Sequence, residues 1–95
     1  MTQENLERVV AAAHAAKINV EITLVEHAGW SVTIMDEAGE WLRRCSGIST
    51  ITIVTDWIVR AMRNVLMADS QAYKRFNDQI GAPIILPTVF VPNFA

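Results

Sequence analysis

The sequence predicts an α+β protein: a two-layer sandwich in which helices cover a three-stranded antiparallel meander. Three observations predict it. A helical period runs through the first sixteen residues. Three runs of period two follow, separated by short glycine-containing turns. A long amphipathic arc then extends from the fifties to residue 80. A meander has one face to bury, and helices on both sides of it in the chain can cover that face.

The first helix is expected over about residues 3–16. Thr2 is a plausible cap, and Leu6, Val9, Val10 and Ala13 recur at helical spacing. The run AAAHAA has high helix propensity, and its small side chains let the helix lie close to a sheet. From Lys17 the period changes. Val20, Ile22 and Leu24 alternate with Asn19, Glu21 and Thr23, as in a half-buried strand. His27-Ala28-Gly29 reads as a turn, and Trp30, Val32 and Ile34 mark a second strand. Asp36-Glu37-Ala38-Gly39 is a hairpin turn, with Gly39 suited to positive φ. A third strand runs from Trp41 to Ser46 and ends at Gly47.

Residues 48–54 admit two readings. Their β-branched side chains favour a fourth strand. Their periodicity favours a helix, because Ile51, Val54, Ile58, Ala61, Met62 and Val65 share one arc that continues through Ala68, Ala72, Phe76 and Ile80. The helical reading starts near Ile53 and runs to about Ala68. A further helix, capped by Ser70, spans about 71–79, with Gly81 closing it and Pro83 forbidding continuation. The order is thus α-β-β-β-α-α over residues 1–81.

Residues 82–95, APIILPTVFVPNFA, form a separate apolar tail. It holds all three prolines, no charge, and nine apolar residues among its fourteen. A solvated tail has a different composition, and prolines bar it from a central strand. Burial is expected along its own domain, at a sheet edge, or against a partner chain, which would make the protein a homodimer.

Composition narrows the function. The chain has 95 residues, 52% of them apolar and 19% charged, which describes one folded domain. A single cysteine excludes a disulfide framework. No apolar run is long enough to span a membrane, and the acidic start does not resemble a secretory signal. A cytoplasmic protein without membrane contact is therefore expected. The net charge of −2 lacks the basic excess of general nucleic-acid binders. The charge is uneven, however: residues 1–42 hold seven acids and two bases, and residues 43–95 three acids and six bases.

No residue set matches a catalytic or metal-binding pattern, and no cofactor is expected. His14 and His27 lack the accompanying ligands that zinc requires. Cys45 lies beside Arg43 and Arg44 but has the character of a buried strand residue. Asp36, Glu37 and Glu40 sit on a hairpin tip, where solvated turn residues belong. The helix–three-strand–helix order is similar to that of the double-stranded RNA-binding domain. That family grips phosphates with a lysine-rich start to its last helix. The corresponding residues here, Thr52 to Asp56, include no base. A face of Arg60, Arg63, Lys74 and Arg75 remains as a possible phosphate contact. An apolar pocket around Trp30, Met35, Met62, Met67 and the tail would instead make a small-molecule-binding domain.

The favoured expectation is a non-enzymatic protein that works by contact with an unidentified protein, as a regulator, inhibitor or accessory subunit. In size and pattern the chain looks like small proteins of phages and gene cassettes. The candidate contact residues are Trp41, Arg43, Arg44, Trp57 and Arg60, since tryptophan and arginine dominate interface hot spots. Ile84, Ile85, Leu86, Val89, Phe90, Val91 and Phe94 of the tail complete the set.

Overall fold

The computed structural model describes the backbone of residues 2–81 and the side chains of residues 4–81. The tail readings, including Ile84, Ile85, Leu86, Val89, Phe90, Val91 and Phe94, lie outside the described residues. The elements are α1 (Thr2–Ala15), β1 (Asn19–Val25), β2 (Gly29–Met35), β3 (Trp41–Ile48), α2 (Ile51–Leu66) and α3 (Ser70–Gln79). The fold is the α+β meander the sequence predicts, in the order α-β-β-β-α-α.

α1 already includes Thr2 and closes by a Schellman motif. Lys17 adopts φ 65, its N–H donates to the His14 carbonyl at 2.9 Å, and the Ile18 N–H donates to the Ala13 carbonyl at 3.0 Å. Ile18, nearly buried, then turns the chain into β1. β1 pairs with β2 without interruption, Val20 opposite Ile34 and Ile22 opposite Val32. The second hairpin is held by Asp36. Its Oδ1 accepts from the Ala38 and Glu40 amides at 2.9 and 3.0 Å, while Gly39 takes φ 87.

β3 departs from a regular strand at two places. Leu42 is an extra residue between the pairs Ile34–Arg43 and Met35–Trp41. A second shift lies between Cys45 and Ile48, with Gly47 at φ 72. This bulge carries the strand past Ser46, where alternation alone had ended it, and returns Ile48 to the core.

The ambiguous segment is helical. Thr50, not a residue near Ile53, caps α2, its Oγ1 accepting from the Ile53 amide at 3.3 Å. No fourth strand forms among the described residues. The β-branched residues lose to tertiary burial: as a helix the segment places Val54 and Ile58 in the core, both fully buried. α2 stops at Leu66, and Asp69 rather than Ser70 caps α3, its Oδ1 accepting from the Ala72 amide at 3.1 Å. Gly81, at φ 79, follows the end of α3 as expected.

α1 packs on β1, and α2 packs on β2 and β3, so one face of the sheet is covered. α3 touches α1 and α2. α2 is central, and Val54 through Val59 are all buried, a run longer than one turn of helix. Val9, Val32, Ile34, Trp57, Met62 and Phe76 form the middle of the core.

Gly29 is a point of close approach. It has φ 85, and a Cβ there would lie 2.7 Å from the Ile48 carbonyl oxygen. Gly29→Ala adds backbone strain to a clash with a strand that cannot yield. It is expected to cost about 2 kcal/mol in urea unfolding, against almost nothing for Gly39→Ala beyond its own φ, since Gly39 has open space around it.

Candidate interaction surface

The face of the sheet that no helix covers among the described residues is built from the odd-numbered residues of β1 and β2 and their cross-strand partners. Glu21, Thr33 and Arg44 form one row across it, and Asn19, Met35 and Trp41 the next. Trp41 is 58% exposed and Arg44 is also exposed. Exposure of so large an apolar side chain beside Met35 and one row from an arginine is what an interface anchor requires: apolar area to bury and a planar cation to fix orientation.

The other predicted contact residues among the described ones are placed differently. Arg43 stands opposite Ile34, on the helix side of the sheet. Its Nε and Nη2 donate to Asn64 Oδ1 at 3.3 and 2.6 Å, and its Nη1 donates to the Leu42 carbonyl at 2.6 Å. It is a strut between β3 and α2. Trp57 is a correction to the sequence reading. Helical angle alone set it at the flank of the apolar stripe, yet it is fully buried, so it cannot join Trp41 in a surface patch. Arg60 donates from Nε to Asp56 Oδ1 at 2.8 Å across one helical turn. Asp56 is fully buried, and its Oδ2 has no hydrogen-bond partner among the described residues. The sequence assigned no importance to Asp56; its place between Thr55 and Trp57 in an apolar stretch was the available signal.

The chemistry-bearing residues stay apart. Among the described residues no three histidine, cysteine or acidic side chains gather where a metal could sit. Cys45 is buried, and that burial pushes its thiol above the ordinary value, against formation of the reactive thiolate. His27 lies in the first turn at φ 62 against Glu26, with both side chains almost wholly in solvent. The basic face is partly spent internally, since Arg63 donates to Asn77 Oδ1 at 3.0 Å as Arg60 does to Asp56. The residues expected around an apolar pocket do not all converge, and the tail among them lies outside the described residues. Met62 is buried in the core and Met67 is exposed, while Trp30 and Met35 point to opposite faces of the sheet. No helix among the described residues is long and apolar enough to cross a membrane.

Fold and surface together define an α+β protein whose three-stranded sheet has helices on one face and, among the described residues, a tryptophan-bearing face opposite that no helix covers. No family description, curated protein or solved structure matches the chain.

Proposed function

We propose that this protein is a non-enzymatic regulator, inhibitor or accessory subunit that acts by binding another protein through the open face of its sheet. The exposure of Trp41 carries the reading. A tryptophan left half in water costs solvation free energy that a partner's apolar socket recovers, at about 25 cal/mol per Å² covered. Arg44, a row away, supplies a charged fork for an acceptor on the partner, and the arrangement matches the aromatic and arginine enrichment of binding hot spots. A cytoplasmic setting and carriage by a phage or mobile element belong to the same proposal; the chain's size and composition support them.

Affinity capture from cells that make the protein, repeated with the purified partner, tests the reading. Trp41→Ala is expected to weaken the complex about 30-fold, the equivalent of 2 kcal/mol, with an unchanged melting temperature. A partner that binds Trp41→Ala and Arg44→Ala variants as tightly as the parent would show that contact lies elsewhere.

A further inference from the structure

The two edges of the sheet differ. The β3 edge is interrupted by two register shifts and carries Gly47 and the pair Arg43 and Arg44. Bulges and basic residues of this kind keep sheet edges from pairing with other chains. β1 has none of these devices. It pairs with β2 over all seven residues without a shift and contains no proline, glycine or lysine; its one charge is Glu21. Among the described residues nothing pairs with its outer edge.

Val20, Ile22 and Leu24 lie on the helix side of that edge; Val20 and Ile22 are half-buried against the core, but Leu24 is left uncovered, 61% exposed. Between α1 and β1 runs a largely apolar groove, lined by Leu6, Glu7, Val10, Ala11, His14 and Ile22. Among the described residues the backbone edge is unblocked and the apolar groove adjoins it, so one occupant can supply both a strand and apolar side chains.

We infer that this occupant is a second copy of the same strand: two β1 strands pair antiparallel about a two-fold axis at Ile22, giving one continuous six-stranded sheet. Self-complementarity selects the second copy. Ile22 is the midpoint of Asn19–Val25, so the whole strand is used. Ile22 meets its own copy, Val20 meets Leu24 of the second copy, and Glu21 meets Thr23 of the second copy. The three inner kinds of pair put like with like, apolar on the helix side and polar on the open side, Asn19 meets Val25 only at the strand ends, and no two carboxylates face each other. A shift of the axis to Glu21 would set that carboxylate against itself. The two α1 grooves then adjoin across the axis, which covers Leu24 from both copies in an isologous contact. This inference uses the β1 edge and is independent of the Trp41 surface, so either can fail alone.

The molar mass of the full chain, followed by sedimentation equilibrium over a wide concentration range, tests it. A dimer is expected. Leu24→Lys should weaken it at least about 100-fold, because apolar burial is lost at two symmetric positions. Thr23→Glu should weaken it about tenfold by opposing Glu21 twice, whereas Thr23→Lys should hold the dimer or tighten it. Both positions are exposed in the single chain, so circular dichroism of the variants should match the parent. A chain that stays monomeric throughout overturns the inference. So does a dimer indifferent to Leu24→Lys, or one that responds alike to Thr23→Glu and Thr23→Lys.

Discussion

Trp57→Ala is expected to cost about 3–5 kcal/mol of folding free energy, the range for emptying a fully buried aromatic site. Trp57 is among the largest of the side chains with no exposure, and it lies in the half of α2 that is buried on every side. Its neighbours belong to a helix held against β2, β3, α1 and α3, so collapse around the cavity would have to move several elements together. Domains of this size are stable by only about 5–15 kcal/mol, so the loss should be visible as a large fall in the urea midpoint at unchanged slope. Trp41→Ala makes the control: a tryptophan more exposed than buried should cost less than about 1 kcal/mol. Equal losses for the two variants would contradict the division into one core and one surface tryptophan.

Arg60→Ala is expected to cost about 3 kcal/mol. The arginine is partly exposed, and an exposed ion pair is ordinarily worth little. Its partner changes the balance. Asp56 is wholly out of water, accepts from Arg60 through Oδ1, and has no partner for Oδ2 among the described residues. Removing the guanidinium leaves a buried carboxylate without compensation, and breaking such a pair from one side is far more costly than the pair's net contribution. The double replacement Asp56→Leu with Arg60→Leu should therefore recover most of the loss, since an apolar substitute removes the desolvation penalty along with the attraction. Urea unfolding of the two single variants and the double variant measures this coupling. If Arg60→Ala and the double variant fall by the same amount, the carboxylate is not dependent on Arg60.

The proposed interaction surface was partly legible beforehand. Residue type alone made Trp41 and Arg44 candidate anchors, and both are exposed. Arg43, adjacent in sequence and identical in chemistry to Arg44, turned out to be a strut to Asn64, because successive strand residues point to opposite faces and the Leu42 bulge sets which one points inward. Asp56 drew no notice in sequence because an acid in a helix is ordinarily a surface residue.

The order of elements and the chemistry of their ends are local matters, and they could be read from residues close together in the chain. Asp36 with Gly39 makes the second hairpin, Gly81 follows the last helix, and alternation marks β1 and β2, each through contacts within a few residues. The state of residues 51–54 could not be read that way, since propensity and period disagreed and only the fit of Val54 and Ile58 between the sheet and α1 settled it. The same holds for Trp57 inside and Trp41 outside. Burial is a property of what distant segments pack against, and three chemically identical indole side chains carry no mark of which one the core will enclose.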